Sequence, residues 1–489
     1  MKNIFSISIL FFVINVSAQT TLSWNNAMDV ATNTTSNLHP RIVLDRNNNP
    51  LVLWGHSTDA MFSRWNGTAF TTPVAVNPMS IPIFTASWAG PDIASHGDTV
   101  YVVFKESPEV TGKIYVVHSY NGGANFSTPV QVDFIADSVS RFPTVTVDDA
   151  GNPIIGFMKF NSTFGDSRWV VAKSTDFGNT FSTDVKASGF SGGEICDCCP
   201  GQLVSAGSTV AILYRDNLNN IRDTWSGISV DGANSFNSGI NLDQNNWMLM
   251  SCPSTGPDGI LIGDTLYSTF MSLGSGDDLI YWSKASISNS QCSGSTALTG
   301  MFTGLTQQNY PRMANYNNTA AIVWKQLVSG TSQLGIYFTE NIHNGFPINY
   351  DTVATGNVNE VSNTDVAISN GKVHVVWQDN VSGTVKYRIG TYTVAGSIKV
   401  VSDNSLLTVF PNPAGDFINL NSEKIPGYFG YSILDVTGKE VMNAKLNSSD
   451  SPREINVSSL CDGVYLLQPF ACYYLPAAIK FIINRSKPD

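Results

Sequence analysis

The chain has 489 residues, 42% of them hydrophobic, enough apolar material for a large core. Only 13% are charged and the net charge is −11, so nucleic acid and anionic membrane, which need a basic face, are not expected partners. Beyond the amino terminus no segment reaches the ~18 apolar residues of a membrane-spanning helix, so no transmembrane segment is expected in the mature chain.

Met1–Ala18 has the form of a signal peptide: Lys2, an apolar stretch over Ile4–Val16, then the small residues Ser17 and Ala18. Gln19 follows where a lipid-anchored protein would carry Cys. The mature chain is therefore expected to be exported.

One phrase then recurs seven times, roughly every fifty residues. A Pro, or a residue in its place, leads into a short apolar run, a turn rich in Asp, Asn and Gly, and an alternating strand that ends on an aromatic. The phrases span 39–54, 90–104, 142–157, 199–214, 256–270, 310–324 and 362–377. A third alternating run follows each, for example KIYVVHS at 113–119 and RWVVAKS at 168–174. Short strands at this period predict an all-β fold, a seven-bladed propeller with six blades as the alternative. The last repeat lacks a fourth strand, and residues 21–31 are expected to complete it. The expected domains are a signal peptide (1–18), the propeller (19–395), a linker (396–404) and a small β-sandwich (405–489).

Three repeats carry a further motif after the third run: Ser174–Phe181 (STDFGNTF), Ser229–Phe236 (SVDGANSF) and Ser119–Phe126 (SYNGGANF). Asp176, Asp231 and Asn121 are expected to cap backbone N–H groups of a turn that also needs a positive φ. The motif resembles the Asp-box, or BNR repeat, of sialidase-like propellers, where its role is structural. Sialidase chemistry would need three arginines, a Tyr–Glu nucleophile pair and an acid–base Asp. Pro40-Arg41-Ile42 departs in order from that family's Arg-Ile-Pro motif, and the remaining members are not identifiable here.

Blades four and five hold the unusual residues: Cys196, Cys198 and Cys199, then Tyr214-Arg215-Asp216, Ile221-Arg222-Asp223 and Cys252-Pro253. Their order resembles a group of bacterial sialidase-like propellers of poorly defined activity, which implies a shared site but no particular reaction. In an oxidising compartment, Cys252 is expected to pair with Cys196, Cys198 or Cys199 and so tie the two blades. A zinc or copper site including Asp197 is the alternative, and a nucleophilic Cys is a third. No cofactor is otherwise expected.

The second strands of other repeats also end on polar or cationic residues: Lys105, Lys159 and Lys325, with His56 and Gln378. With Arg215 and Arg222 they suggest a ring of cations around one mouth, suited to an anionic ligand. Trp88 and Trp247 are candidates to stack a sugar ring. Glu106, Asp216 and Asp223 are the candidate acid–base groups.

Residues 405–485 carry Phe410-Pro411-Asn412-Pro413-Ala414, YSILDVTGK (431–439), INVSSL (455–460), Gly463-Val464-Tyr465 and Lys480–Ile483. These resemble the C-terminal sorting domain of the type IX (Por) secretion system of Bacteroidetes. That resemblance implies the secretion machinery as a partner, passage across the outer membrane, and release or surface attachment. Pro469–Ala478 departs from the family's polar turn. The resulting expectation is an exported propeller that binds a glycan or another anionic ligand on the face of blades four and five. A glycoside hydrolase or lyase using the same face is the alternative, and a structural or adhesive surface protein the second.

Overall fold

The computed structural model describes residues 22–31, 35–133, 138–163, 165–274, 276–393, 408–421, 429–436, 439–446, 453–471 and 479–485. The expected signal peptide and the expected linker lie outside the described residues. The chain divides into two compact units, through Tyr392 and from Thr393. Among the described residues the fold is all-β apart from one 3₁₀ turn, Ile342–Asn344.

The first unit contains seven antiparallel sheets, each essentially four strands in chain order. Their first strands begin at Asn37, Asp92, Ser138, Gln202, Asp258, Leu305 and Val361. Each packs beside the next, and Val361–Ser369 packs back on Asn37–Leu44, so the ring closes as a seven-bladed propeller. Closure is two-sided in sequence. Ser23–Trp24 and Met28–Asp29 pair with Thr384–Thr391 and supply the outer edge of the seventh blade, as the leading segment predicts.

Period-two alternation puts one face of every sheet against each neighbouring sheet. The core is therefore a set of inter-blade layers. Phe160 and Trp169 of blade three pack with Ile212 and Tyr214 of blade four, and Leu213 and Ile228 of blade four pack with Phe270 and Tyr281 of blade five.

The seven first strands line a central cavity of about 490 Å³. Arg41, Asp92, Asp258, Arg312 and Asp365, each directly after the Pro position of its phrase, meet there with Gln202, which follows Gly201; Thr144 holds the corresponding position in blade three. Several bind the backbone N–H of the following blade. Asp365 Oδ2 accepts from Ile42 N at 2.9 Å, Asp92 Oδ2 from Val145 N at 3.1 Å and Asp258 Oδ2 from Met313 N at 2.8 Å. Thr144 Oγ1 accepts from Leu203 N at 3.2 Å. Arg41 and Arg312 balance the carboxylates, 3.9 Å from Asp92 and 3.8 Å from Asp258. Arg41 is therefore one member of a structural ring, matched by Arg312 in blade six. His39, Trp88, Pro200, Gly256, Tyr310 and Asn363 gather where the loops lead into the first strands, leaving only about 20 Å³ of free volume there.

The three capped turns behave alike. Ser174 Oγ donates to Asp176 Oδ1 (2.8 Å) and accepts from Gly178 N (2.8 Å), while Thr180 N donates to Asp176 Oδ1 at 2.9 Å. Asp231 and Asn121 make the corresponding bonds. These hydrogen bonds hold the Asp176 and Asp231 carboxyls down at about 2. The fifth motif position has φ of +77° at Gly123, +88° at Gly178 and +64° at Ala233.

The second unit consists of two antiparallel sheets, one of Thr408–Phe410, Phe417–Asn421 and Arg453–Asn456, the other of Phe429–Leu434, Glu440–Leu446, Gly463–Ala471 and Ile479–Ile483. They share one core that includes Ile418, Leu420, Ile433, Leu467 and Phe481, which makes the unit a small sandwich.

Two stability predictions follow from these contacts. Asp92→Ala leaves Val145 N without its acceptor and removes the partner of Arg41, and should cost about 3 kcal/mol in a denaturant titration, with Asp92→Asn costing less. Ala233→Gly removes a left-handed alanine from a turn that otherwise uses glycine, and should raise stability by about 1 kcal/mol.

Candidate functional site

Blade four carries an extra strand before its first. Glu194–Ile195 pairs with Asn217 and Asp216, and Cys196 N donates to Arg215 O at 2.9 Å. This pins the Cys196–Pro200 loop over the end of the second strand. Cys198 is disulfide-bonded to Cys252, which leads into blade five, so a disulfide ties the two blades as expected. Cys196 and Cys199 remain thiols, both buried, with their sulfurs 3.1 Å apart; Cys196 Sγ is also 3.4 Å from Cys198 Sγ.

The three sulfurs of the loop lie within 4.8 Å of one another. Asp197 does not join this group, and with Cys198 bonded two thiols are left, fewer than the four ligands of a structural zinc site or the three of a catalytic one. The Cys199 hydrogen bond, aided by Arg222 and Arg215 against the effect of burial, brings the Cys196 thiol down to about 7. Burial pushes Cys199 well up.

Arg215 is wholly buried. It donates to Arg222 O (2.6 Å), Met271 O (2.8 Å) and Thr255 O (3.4 Å), and its guanidinium lies 4.9 Å from the centre of the Trp247 ring. It thus bridges blade four to blade five, and Trp247 is its buried platform. Arg222 donates through Nε to Leu249 O at 3.1 Å, while its buried Nη1 has no partner among the described residues. Asp223 Oδ1 accepts from Trp247 N at 3.0 Å and so holds the loop before blade five. Burial, then the neighbouring Asp243, pushes Asp223 up to about 6. Burial also pushes Asp216 to about 6, against the pull of Ser191, the Asn217 N–H and Arg222. Asp216 Oδ1, Asn217 Oδ1 and Thr255 Oγ1 likewise have no partner among the described residues.

The other sequence candidates are placed differently. Lys105 is buried, donates to Gly112 O, and is brought down to about 8 by burial. Glu106 accepts from Lys113 N at 3.0 Å and shapes the same hairpin. Lys159 is engaged by Asp184 at 3.1 Å. Lys325 is half-buried, and burial lowers it. Gln378 accepts from His39 N and Asn363 Nδ2, while buried His56 Nδ1 has no partner among the described residues. These side chains do not form an open ring of exposed cations: Lys105, Lys159 and Arg215 are turned inward to carbonyls or a carboxylate of their own or the adjoining blade. Trp88 and Tyr310 are half-buried at the closed end of the central cavity.

The fold defines the first unit as a β-propeller. Residues 408–471, in the second unit, match the secretion system C-terminal sorting domain. That domain directs export by the type IX route, to the cell surface or the medium. No helix among the described residues is long and apolar enough to cross a membrane. No curated protein matches the chain. Similar solved structures include a protein of unknown function from Dyadobacter fermentans, at 10% identity and TM-score 0.46, over 76% of this chain and 99% of that one. A polysaccharide lyase of family PL25, an ulvan lyase, aligns at 11% and TM-score 0.47, over 73% and 94%. The Trypanosoma rangeli sialidase aligns at 9% and TM-score 0.43, over 96% and 93%.

The Asp216 environment has a measurable pH signature. Its folded-state pKa is raised above the ordinary 3.8, so the ionised form weakens the fold as pH rises through about 6. Asp216→Asn removes that penalty. The variant's stability relative to wild type should therefore improve by about 1–3 kcal/mol between pH 4 and pH 7.5, read from paired denaturant titrations.

Proposed function

We propose that this exported propeller binds an anionic glycan at the end where the loops lead into the first strands, centred on blade four. The observation that carries this reading is a set of buried polar atoms on blade four and the loop before blade five that lack partners among the described residues: Asp216 Oδ1, Asn217 Oδ1, Arg222 Nη1 and Thr255 Oγ1. Buried polar atoms normally have partners, and several without them on one blade fit the hydroxyl and carboxylate groups of a sugar acid. Arg222 would pair with the carboxylate, and the half-buried Trp88 and Tyr310 nearer the axis would receive a sugar face. On the same reading residues 1–18 are a signal peptide, 19–395 the propeller and 396–404 a linker, and the three capped turns are Asp-boxes.

Binding of uronate-containing and sulfated oligosaccharides to the purified chain, first on an array and then by calorimetry, tests the proposal. Arg222→Gln should weaken the best ligand about 10- to 100-fold, the loss of one charge-assisted hydrogen bond. Absence of any acidic glycan ligand, or an unchanged affinity in the variant, would end it. A hydrolase or lyase is the second reading, favoured by an Asp216 carboxyl near 6 that is suited to general acid catalysis. Turnover lost in Asp216→Asn with binding retained would select it.

A further inference from the structure

The cysteines of blade four form two tiers, and the lower tier has no part in ligand binding as proposed above. The outer tier is the Cys198–Cys252 disulfide, with Cys252 exposed and Cys198 half-buried. The inner tier is the Cys196/Cys199 thiol pair, both members excluded from solvent. Cys196 Sγ stands between them, 3.1 Å from Cys199 Sγ and 3.4 Å from Cys198 Sγ. A staple alone would need only two of these four residues.

We propose that the four cysteines constitute a thiol–disulfide exchange site, in which a buried dithiol passes two electrons through the exposed pair to an external disulfide. The substrate class is a small-molecule or protein disulfide that reaches Cys252. The Cys196 thiolate attacks Cys198, so that the Cys196–Cys198 bond forms, the Cys198–Cys252 bond breaks, and Cys252 leaves as a thiolate. The Cys199 thiolate then attacks Cys196, forming Cys196–Cys199 and releasing Cys198. Up to this point electrons have only moved among four sulfurs. Cys252 next attacks the external disulfide, forming a mixed disulfide and expelling one thiolate. Cys198 displaces the second thiolate and restores Cys198–Cys252. The net reaction oxidises one buried dithiol to a disulfide and reduces one external disulfide to two thiols; with an external dithiol it runs in reverse.

The surroundings suit the first step. Arg222 and Arg215 bias Cys196 toward the attacking thiolate, and the Cys199 S–H donates to it. Cys252 follows an exposed loop that carries Met248 and Met250, so an incoming molecule meets the outer tier first.

The test titrates the full chain, under argon, with the aromatic disulfide dithiobis-nitrobenzoate, counting released thiolate and mapping every adduct by peptide mass. The remaining cysteines of the full chain, Cys292, Cys461 and Cys472, are the same in every variant and set a constant background. Above it, the wild type should release two equivalents and finish with both Cys196–Cys199 and Cys198–Cys252 bonded. Cys196→Ser should release none. Cys199→Ser should release one and trap the reagent on Cys252, with Cys196 bonded to Cys198. Cys196→Ala and thermal melts of each variant separate loss of exchange from loss of fold. The proposal is overturned if wild type and Cys196→Ser release equal amounts, or if the Cys199→Ser adduct sits on Cys196. Isolation of the untreated chain with Cys196 and Cys199 blocked by a stoichiometric metal would overturn it equally. None of these outcomes depends on glycan binding.

Discussion

The first strand of each blade has one edge paired and one edge facing the central cavity, and that open edge is the constraint on which the whole ring depends. Unpaired N–H groups facing an enclosed space need acceptors. In four blades the residue after the phrase's Pro position answers this need, accepting from the backbone of the next blade. Asp365 closes the ring from blade seven to blade one through Ile42 N, and Asp92, Thr144 and Asp258 make the corresponding links further round. Three carboxylates this close repel one another, and Arg41 and Arg312 are placed among them to compensate. Burial still leaves a mark: Asp258 is pushed up to about 6, and Arg41 is brought down to about 10.

This ring also explains why the chain reads so plainly as a propeller. The Pro phrase repeats because each blade must start its first strand at the same height, and the alternation after it repeats because both sheet faces are covered. The use of residues 21–31 to finish the last blade follows from counting strands. Less legible was what the position after Pro does. Arg, Asp, Thr and Gly occupy it, and no composition rule groups them; in blade four it is Gln202, one residue later, that faces the cavity.

Within the site, the sequence identified chemical types and left their directions open. A cation at the end of a second strand can face solvent or turn inward, and the choice depends on acceptors distant in the chain. For Arg215 the deciding partner is Met271 O, 56 residues away in the next blade. For Lys105 it is the carbonyl of a hairpin that no local pattern specifies. The cysteines posed the same difficulty, since spacing alone did not say which of three would pair with Cys252. The unmatched Arg222 Nη1 and Asp216 Oδ1 were likewise invisible, because being unmatched is a property of the packed environment.

The seam between blades four and five is where ring and site meet. Blade four has Gln202 at the ring position, and its Oε1 accepts from Arg312 Nη1 at 2.8 Å, so this side chain reaches across the cavity to blade six. The adjacent seam is held by other means, an arginine spanning from Tyr214's neighbour to Met271 and a disulfide from Cys198 to Cys252. Replacing a ring contact by a covalent and a cationic bridge moves the fastening from the axis to the loop end. A fastening at the axis is enclosed and fixed, whereas one at the loop end lies beside exposed Cys252 and can be reached from outside. On the same blade, Asp216 and Arg222 each keep a buried atom without a partner among the described residues. At blade four, closure by a disulfide and a buried arginine leaves polar and sulfur groups beside the loop end, where another molecule can reach them.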